Sequence, residues 1–562
     1  MEIKEKIISS IRQACGALNW PEIDFTIEHP DEMSHGDYAT NIALILSKQL
    51  KKTPVAVAKE LVEKIKQKQP TEILKIEVAG PGFINFYLTD KYFAEGVKEI
   101  LNKGENYGKK PKKFFGGQKV IVEYSSPNIA KPFTVGHLRS TIIGDAVANI
   151  LEFNGKKVIR DNHLGDWGTQ FGKLIVALKK WSSIEAIEKS DKPIKDLVDL
   201  YVKFHDEVEK NKNLEDEGRT WFAKLEKGDK EARNIWQKCV NLSLKEFERI
   251  YKTLDVKFDT SYGESFYENK MASVIADVKK AGIARDSEGA YLIFFENEKY
   301  PPLMLLKSDR SSLYALRDLA ADKWRKKKYG QNTIIINEVG MEQELQFQQL
   351  FEAEKLLGYV KEGERIHVKH GLYRFKEGKM STRKGNVIWL DEVINEAVER
   401  AGKINKETAE VVAIGALKFN DLKREAKGDI NFDWDEILNL KGDSGPYLQY
   451  AYVRAKSILQ KAETEGIKAQ VLGARLEVLG DLAKLLDQFV ETVERAGQEY
   501  APHYLATYLT ELASAFSTFY AQETVVDKND TNSPVKIALV KAFSIVMKNG
   551  LNLLGIKVPE RM

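Results

Sequence analysis

The spacing of apolar residues alternates between helical and strand-like periods over residues 1 to about 100. The segment DYATNIALILSKQL places its apolar residues at helical spacing. The segment KIEVAGPGFINFYL alternates apolar and polar residues on both sides of a Gly-Pro-Gly turn, which predicts strands. The N-terminus predicts a charged amphipathic helix and lacks the apolar core of a signal peptide. This region therefore mixes helices and strands.

A basic stretch with several glycines follows. The segment GKKPKKFFGGQKV carries five lysines around Pro111 and two adjacent glycines, which is typical of a linker between domains. A basic linker is usually only solvated. The alternative is that it lies along a phosphate backbone, and the pattern leaves both interpretations open.

The middle of the chain begins with a strand, a helix and a second strand. KVIVEY is rich in β-branched residues and predicts a buried strand. LRSTIIGDAVANILEFNG has an apolar face and ends at Asn-Gly, which predicts a helix, and KKVIRD predicts the next strand. This order is a βαβ unit, whose parallel strands bind ligands at their carboxyl ends.

The remaining pattern is helical, then strand-like, then helical again. Charged helical segments from about 174 to 260 predict part of an insertion in the sheet domain. Strand patterns return in GAYLIFF, PLMLLK and NTIIINEV. From about residue 405 onward every segment has helical spacing. A clear example is YLATYLTELASAFSTFY, in which one face carries Leu505, Leu509, Leu512 and Phe516.

The composition limits the class of protein but does not indicate a function. A chain of 562 residues is too long for one core and should form several domains. The 86 Lys and Arg residues nearly balance the 83 Asp and Glu residues, so the net charge of +3 neither requires nor excludes a nucleic-acid partner. Cys15 and Cys239 predict no disulfide framework and no zinc site, and a reducing cytosol is the default. No apolar run is long enough to predict a membrane span.

The first candidate site lies at the predicted start of the helix after KVIVEY. Gly136 and His137 stand at this helix start, where unpaired N–H groups and a partial positive charge attract phosphate. Gly136 lets a ligand approach the backbone, His137 adds a hydrogen-bond donor, and Lys131 adds a full charge. An ordinary helix cap is the alternative interpretation.

Two further clusters contain glycines and charged residues. HLGDWGTQFG follows the next strand and therefore emerges at the same edge of the sheet. GKMSTRKGN carries cations on a glycine-bounded loop, where they could close over a triphosphate. Taken singly, the first could be a tight loop before a helix and the second a charged surface loop.

These segments, in this order, resemble a known enzyme family. TVGH resembles the HIGH motif of class I aminoacyl-tRNA synthetases, and KMSTRKGN resembles their KMSKS loop. Resemblance to arginyl-tRNA synthetases in particular is carried by EYSSPNIAKPFTVGHLRST, HLGDWGTQFG and YALRDLAA. Outside the catalytic region, the segments similar to that family are GDYATNIAL, AGPGFINFYL, GPYLQYAYVRAKSIL, YLATYLTELASAFSTFY and the closing ERM. The resemblance covers essentially the whole chain.

The resemblance implies a multidomain α/β protein. It places a small α+β domain that contacts tRNA at residues 1–115 and an all-α anticodon-binding domain at residues 401–562. Between them, residues 116–400 would form a Rossmann-type catalytic domain with a parallel sheet. That domain would contain a helical insertion at about 174–300 and the KMSKS-like loop at 376–388.

The same resemblance implies an activity. The enzyme would activate L-arginine with ATP, release pyrophosphate, and transfer arginine from arginyl-adenylate to the 2′-OH of the terminal adenosine of its tRNA. ATP would enter as a substrate with Mg²⁺, and no metal site of the protein itself is expected. The partners would be arginine tRNA, L-arginine and ATP, with no membrane, for a monomeric cytoplasmic enzyme.

Specific residues are implied for each part of the reaction. The implied catalytic residues are Lys131, His137, Lys379, Ser381, Arg383 and Lys384. The residues implied to bind ATP are Thr134, Gly136, His137, Gly165, Asp166, Gly168, His370 and Met380. The residues implied to bind arginine are Glu123, Ser125, Asn128, Tyr314, Asp318 and Gln343. A guanidinium presents five donors and requires carboxylates and neutral acceptors, and Asp318 is the strongest candidate.

Three positions depart from the family motifs. Thr134 replaces the first histidine of HIGH, Thr382 replaces the second lysine of KMSK, and Gln346 stands where the family often has histidine. In members that lack this lysine, a lysine just before the HIGH motif is thought to compensate. Lys131 is in that position.

Three alternatives remain. Another class I synthetase is one, although a cysteine enzyme would need a zinc site for which no cysteine cluster exists. A small-molecule nucleotidyltransferase is the second, but it would need neither the helical domain nor the N-terminal one. The third is a catalytically dead paralogue that binds RNA or a partner, which Thr134 and Thr382 keep open.

Overall fold

The computed structural model describes residues 3–30, 32–111, 117–375, 388–471 and 476–562. The chain divides into two compact units. Unit 1 comprises Met1–Tyr107, Ala451–Glu491 and Leu509–Asn549. Unit 2 comprises Gly108–Tyr450, Thr492–Tyr508 and Gly550–Met562.

The N-terminal part of unit 1 is an antiparallel sheet with helices packed against it. Its helices are α1 (Ile3–Ala17), α2 (Ile42–Leu50), α3 (Pro54–Lys66) and α4 (Asp90–Lys103). Its strands are β1 (Ile27–Glu28), β2 (Tyr38–Thr40), β3 (Ile73–Ala79) and β4 (Phe83–Leu88), in the order β1-β2-β4-β3. β3 and β4 pair on either side of the Gly-Pro-Gly turn, so the predicted strands are confirmed. Apolar faces of α1 and α3 fill the core beside the sheet.

Unit 2 begins with the predicted βαβ unit. β5 (Lys119–Glu123) and β6 (Lys157–Asp161) pair in parallel, and α5 (Val135–Phe153) connects them. α6 (Thr169–Trp181) follows. Gly144 lies where α5 crosses the end of β5, and a Cβ there would be 2.2 Å from Tyr124. The close packing of helix on strand therefore explains a glycine inside a helix.

The inserted region is helical and then forms a small sheet. Its helices are α7 (Ile184–Glu188), α8 (Pro193–Lys210), α9 (Asn213–Glu226), α10 (Lys230–Leu254) and α11 (Met271–Ala281). The strands β7 (Ala284–Ser287), β8 (Ala290–Ile293) and β9 (Leu303–Leu306) form an antiparallel sheet in chain order. Apolar residues of β8 and β9 pack with α11 in one core cluster.

The chain then completes the parallel sheet. α12 (Tyr314–Tyr329), β10 (Ile334–Gly340), α13 (Glu344–Leu356) and β11 (Arg365–His370) follow one another. The sheet order is β11-β10-β5-β6, with every neighbouring pair parallel. The fold class predicted for this region is confirmed, and the carboxyl ends of all four strands lie at one edge.

The described residues after β11 are mostly helical. Their helices are α14 (Leu390–Gly402), α15 (Ala409–Leu422), α16 (Trp434–Ile437), α17 (Gly445–Thr464), α18 (Leu476–Asp487), α19 (Phe489–Gln498), α20 (His503–Gln522) and α21 (Ser533–Leu553). The prediction that everything after about residue 405 is helical is wrong at β13 (Ile430–Phe432), which pairs in parallel with β12 (Tyr373–Phe375). Burial of Ile430 and Phe432 on one side of this strand favours the extended conformation.

The predicted apolar face of α20 is confirmed, because its four residues are fully buried, namely Leu505, Leu509, Leu512 and Phe516. Across the described ranges, no helix combines the length and the apolarity needed to cross a bilayer.

Within unit 1, the carboxylate of Asp487 on α18 lies among other acidic groups. Tyr92 donates a hydrogen bond of 3.1 Å to Asp487 Oδ2. Burial raises the pKa of Asp487 to about 7, and the charges of Glu491, Asp37 and Glu99 act in the same direction. The folded protein therefore holds a proton on this carboxyl that the unfolded chain releases near pH 4.

We expect the Asp487→Asn variant to be more stable than the wild type at pH 8. Because the folded-state pKa is raised, ionising Asp487 costs stability progressively from about pH 4 to 7 and the full cost is present above pH 7. Asparagine accepts the same hydrogen bond without a charge, so the gain should be roughly 1–3 kcal/mol at pH 8 and close to zero at pH 4. Thermal unfolding at both pH values measures it.

The exposed Asp481 on the same helix provides the control, and Asp481→Asn should change the midpoint little at either pH. A melting temperature for Asp487→Asn that is no higher than wild type at pH 8 would contradict the prediction.

Candidate active site

The loop after β5 holds an unusual backbone conformation. Ser125, Ser126 and Ala130 have φ values of 69°, 44° and 56°, in the left-handed region that favours glycine. The loop is fixed by parallel pairing of Asn128 with Gly165, in which Ile129 N–H donates to Gly165 O at 3.0 Å. Strained loops of this kind are common at binding sites, because the surrounding contacts hold them in place.

His137 lies in the first turn of α5 and its ring orientation is fixed. The backbone N–H of Thr134 donates to His137 Nδ1 at 3.1 Å. A nitrogen that accepts a hydrogen bond carries no proton, so the neutral ring has its proton on Nε2. Burial, with the charges of Lys131 and His370, lowers the pKa of His137 to about 4. At neutral pH the ring therefore offers one N–H donor, at Nε2.

The structure places Gly136 and Lys131 beside this ring. Gly136 is exposed, and a Cβ added there would meet only Thr134 Oγ1, at 3.5 Å. The helix start therefore has free space in front of it, as the sequence predicted for a phosphate site. Lys131 is partly buried and lines a small cleft with Gln170 and Tyr201.

The second cluster lies next to the first, as predicted. A Cβ on Gly165 would be 2.3 Å from Asn128 Oδ1, so the pairing of the two loops requires glycine. Gly168 precedes α6 with a φ of 138°. Asp166 accepts bonds of 2.8 Å from Ser265 N–H and 2.6 Å from its hydroxyl. Burial raises the pKa of Asp166. These contacts shape the loop, and a direct contact of these residues with ATP stays a prediction.

Asp318 and Tyr314 lie on the first turns of α12, as predicted. Tyr314 is 55% exposed, and Asp318 is partly buried. Burial, with the nearby carboxylates of Glu123 and Asp322, raises the pKa of Asp318 to about 6. No described residue forms a hydrogen bond or ion pair with the Asp318 carboxylate.

Asp318 does not form an ion pair with either of the cations near it in the sequence. Arg317, its neighbour in sequence, pairs with Glu268 at 3.2 Å. Lys323 pairs with Asp277 at 2.5 Å. These two cations, the ones near Asp318 in the sequence, are therefore engaged elsewhere, and its carboxylate forms no ion pair with either of them.

Two other residues predicted to bind arginine have internal partners. Glu123 is buried, pairs with Arg325, and accepts a bond of 2.9 Å from Asn337. Although burial opposes it, the charge of Arg325 lowers the pKa of Glu123. The Ser125 hydroxyl lies 2.8 Å from the Tyr251 hydroxyl and 2.8 Å from Thr141 Oγ1. Both residues support the pocket, and direct contact with a ligand stays a prediction.

Two further predicted residues lie near the ends of β10 and β11. Gln343 is exposed just after β10. His370 Nδ1 is 2.7 Å from Glu338 Oε1, and although burial opposes it, this carboxylate raises the pKa of His370. The KMSKS-like residues lie outside the described residues, namely Lys379, Met380, Ser381, Thr382, Arg383 and Lys384.

Models of three known protein domain families match most of the chain. A model described as tRNA synthetases class I (R), catalytic domain, matches residues 96–434. The DALR anticodon binding domain matches residues 448–562, and the arginyl tRNA synthetase N terminal domain matches residues 1–88. The chain belongs to the arginyl-tRNA synthetase family.

Individual members of this family resemble the chain over its full length. An arginine–tRNA ligase of Halothermothrix orenii is 40% identical, with 100% of each chain covered. One from Clostridium kluyveri is 42% identical over 96% of each chain. The arginyl-tRNA synthetase structure from Thermus thermophilus superposes with a TM-score of 0.83 at 25% identity, covering 100% of both chains. That from Plasmodium falciparum gives the same TM-score and identity, covering 100% of this chain and 99% of that one.

The structure of this arginyl-tRNA synthetase family member also places, beside the candidate site, residues that the sequence analysis did not name. Glu264, His163 and Tyr267 lie beside Asp318 or its neighbours. His163 could have been found, because it follows β6 directly at the binding edge of the sheet. Glu264 and Tyr267 lie in a short 3₁₀ helix, Glu264–Lys270, after α10, where no apolar period in the sequence indicates which residues point inward.

Proposed function

We propose that the protein is an arginine–tRNA ligase that forms arginyl-adenylate from L-arginine and ATP. It then transfers arginine to the 2′-OH of the 3′-terminal adenosine of its tRNA. The single observation that carries the proposal is the carboxylate of Asp318, which has no hydrogen bond or ion pair with any described residue and lies at the edge of the sheet where α5 also begins. Membership of the arginyl-tRNA synthetase family supports it.

The activation step joins two ligands at this edge. The arginine carboxylate attacks the α-phosphorus of ATP, a new P–O bond forms, and the bond to the bridging oxygen breaks as pyrophosphate leaves. His137 would donate from Nε2 to the phosphate oxygens as their charge increases, and the α5 N-terminus would add its dipole. Lys131 would supply the positive charge that Thr382 does not.

The Thr134 replacement has a specific consequence in this mechanism. Its side chain cannot carry the charge that a histidine could. Its backbone N–H, however, selects the His137 tautomer that donates towards the phosphates, and any residue at this position would keep that N–H except proline. The departure therefore leaves the central donor of the motif intact.

Further parts of the proposal concern domains and partners. We place the tRNA contact in residues 1–115, catalysis in residues 116–400 and anticodon binding in residues 401–562. Mg²⁺ would enter with the ATP phosphates, and the described residues contain no group of three side chains suited to holding a metal. We place the protein in the cytoplasm as a monomer, and two free, buried cysteines agree with a reducing compartment.

The alternative of an inactive paralogue has no support. The relatives from Halothermothrix orenii and Clostridium kluyveri, which match the chain over nearly its full length, are arginine–tRNA ligases. His137, Lys131 and Asp318 are all present, and the hydrogen bond from Thr134 N–H to His137 Nδ1 leaves Nε2 as the donor that the proposal requires.

Arginine-dependent exchange of pyrophosphate into ATP tests the function, with and without arginine tRNA. We expect exchange with arginine, and none with lysine or citrulline, because the uncompensated carboxylate of Asp318 favours a guanidinium. Exchange only with tRNA present would mean that bound tRNA completes the active site. Exchange without tRNA would show that arginine activation does not depend on it. No exchange with arginine under either condition would refute the assignment.

A further inference from the structure

Arg139 is a buried arginine in α5, two positions after His137. It is 1% exposed, which is rare for a long cationic side chain unless it is paired. Its Nε lies 3.3 Å from Oδ1 of Asp421, a residue that is equally buried. Tyr373 donates a hydrogen bond of 2.7 Å to the other oxygen of that carboxylate. The charge of Arg139 is therefore compensated inside the protein, and its side chain is buried too deeply to contact a substrate.

The Arg139 guanidinium also contacts backbone carbonyls of two segments that are distant in the chain. Its Nη2 donates to Ala426 O at 2.7 Å and to Gly428 O at 2.8 Å, in the turn between α15 and β13. Its Nη1 lies 3.5 Å from Leu372 O, in the segment between β11 and β12. A planar fork of N–H donors can hold several acceptors at once, which the compact ammonium of lysine cannot do in the same geometry. Arg139 thus joins the start of α5 to both segments.

These two segments also pack closely against each other. Gly371 N–H donates to Ala426 O at 3.0 Å, and Leu372 N–H donates to Asp429 Oδ1 at 2.8 Å. A Cβ added to Gly371 would lie 2.7 Å from Lys427 O, so the close approach requires glycine. The turn and the segment before β12 therefore form one well-packed support for the start of α5.

The segment that Arg139 contacts follows directly after His370, the last residue of β11. His370 is buried, and its Nδ1 is 2.7 Å from Glu338 Oε1. The charge of Arg139 acts on the His370 ring, and the charge of His370 acts on His137. The two histidines predicted to bind ATP are therefore near each other, one on each of the elements that Arg139 joins.

We propose that Arg139 positions His137 for the activation step by holding the start of α5 against the segment that follows His370. This inference rests on the proposed function and adds a positioning residue that acts without touching a substrate. A donor stabilises a transition state only when it is correctly placed, and a displacement of about 1 Å can lower the rate about 100-fold. The donor whose position depends on Arg139 is His137 Nε2.

A double-mutant cycle in the full-length protein tests the inference, with arginine-dependent pyrophosphate exchange as the measurement. Arg139→Lys keeps a charge beside Asp421 but cannot hold all of the carbonyls, so we expect kcat to fall about 10- to 100-fold. The KM for arginine should stay within about twofold, because Arg139 does not contact the substrate. In the His137→Asn background the same substitution should lower kcat less than about threefold, because the donor that Arg139 positions is already absent.

Arg160→Lys is the matched control, because Arg160 holds the other end of the same helix. Its Nη2 is 2.8 Å from Asn149 Oδ1 and 3.1 Å from Glu152 Oε2, both on α5. We expect its kcat to stay within about twofold of wild type. A purely structural role of Arg139 would lower kcat by the same factor with and without His137, and that result would overturn the inference. An unchanged kcat in a folded Arg139→Lys protein would overturn it as well.

Tyr373→Phe covers the case in which Arg139→Lys does not fold. It removes only the hydroxyl that donates to Asp421, so Arg139 loses part of its support. We expect kcat to fall about 3- to 10-fold in the wild-type background and less than about twofold in the His137→Asn background. Equal factors in the two backgrounds would overturn the inference. If the wild type showed no arginine-dependent exchange, the proposed function itself would fail, whereas an active wild type with equal factors would overturn only the role of Arg139.

Discussion

Replacing Asp318 with asparagine is expected to lower kcat/KM for arginine about 100-fold or more. The Asp318 carboxylate has no ion pair or hydrogen bond among the described residues, and the cations on either side of it are engaged by other carboxylates. Substrate guanidinium would be its partner. Losing one member of a desolvated charge pair costs roughly 3–5 kcal/mol, and each 1.4 kcal/mol is a factor of about ten.

Asp318→Asn should weaken the use of arginine but not the use of ATP. In the proposed site ATP would contact the start of α5 and not α12, so the KM for ATP in Asp318→Asn should stay within about twofold of wild type. Asp318→Ala should lose at least as much as Asp318→Asn, because it removes the acceptor oxygens as well as the charge. Pyrophosphate exchange titrated separately with each substrate distinguishes these effects.

Asp277 provides the control for this prediction. It lies on α11 and pairs with Lys323, one turn or more along α12 from Asp318. Asp277→Asn removes a partly exposed ion pair and should change kcat/KM for arginine by less than about threefold. An Asp318→Asn enzyme that used arginine as well as wild type would remove Asp318 from the pocket.

The pH dependence of arginine use should also come from the Asp318 carboxylate. Burial raises the pKa of Asp318 to about 6, with Glu123 and Asp322 adding to the shift. Only the ionised carboxylate pairs with a guanidinium, so kcat/KM for arginine should fall as the pH decreases through about 6 and should level off above 7. In Asp318→Asn this fall near pH 6 should disappear.

The parallel sheet could be predicted because its signals are local. β5 and β6 are short β-branched runs, and the helix between them has a regular apolar period and a clear stop. β13 could not be predicted in the same way. It has three residues, and its partner β12 lies more than fifty positions earlier in the chain, so no local period marks it.

In the site, too, the sequence reveals local motifs but not the contacts between residues that are distant in the chain. Asp318 could be predicted because it lies in a recognisable segment. The sequence does not show, however, why its carboxylate has no ion pair. Arg325, seven residues further along α12, contacts Glu123 and also pairs with Asp161 at 2.5 Å and with Asp322 at 2.8 Å. Two of these three carboxylates come from distant strands. Only the folded sheet shows which carboxylates are neutralised and which one remains.

Replacing His137 with asparagine should lower kcat for pyrophosphate exchange about 100- to 1,000-fold. The asparagine amide oxygen can still accept the Thr134 N–H that now binds His137 Nδ1, so the helix start should be preserved. What is lost is the donor at Nε2, which lies further from the backbone than the asparagine amide reaches. The variant therefore removes the phosphate donor while retaining the cap.

Glutamine provides the matched comparison, because its amide nitrogen can reach the position of Nε2. We expect His137→Gln to recover about tenfold or more of the activity lost in His137→Asn, with the KM for arginine unchanged in both. Thermal unfolding of the two variants checks that the helix start is intact. Equal kcat values for the two variants would show that the Nε2 donor is not what matters.

The ratio of wild-type to His137→Asn activity should not depend on pH between 6 and 8. Burial and the neighbouring charges of Lys131 and His370 lower the pKa of His137 to about 4, so the ring is neutral throughout this range. Its single proton is on Nε2 because Nδ1 accepts the Thr134 N–H. His137 would then act as a fixed hydrogen-bond donor to the phosphates and not as an acid that titrates during turnover. A ratio that increased as the pH fell from 8 to 6 would require a protonated imidazole, and the neutral-donor mechanism would be wrong.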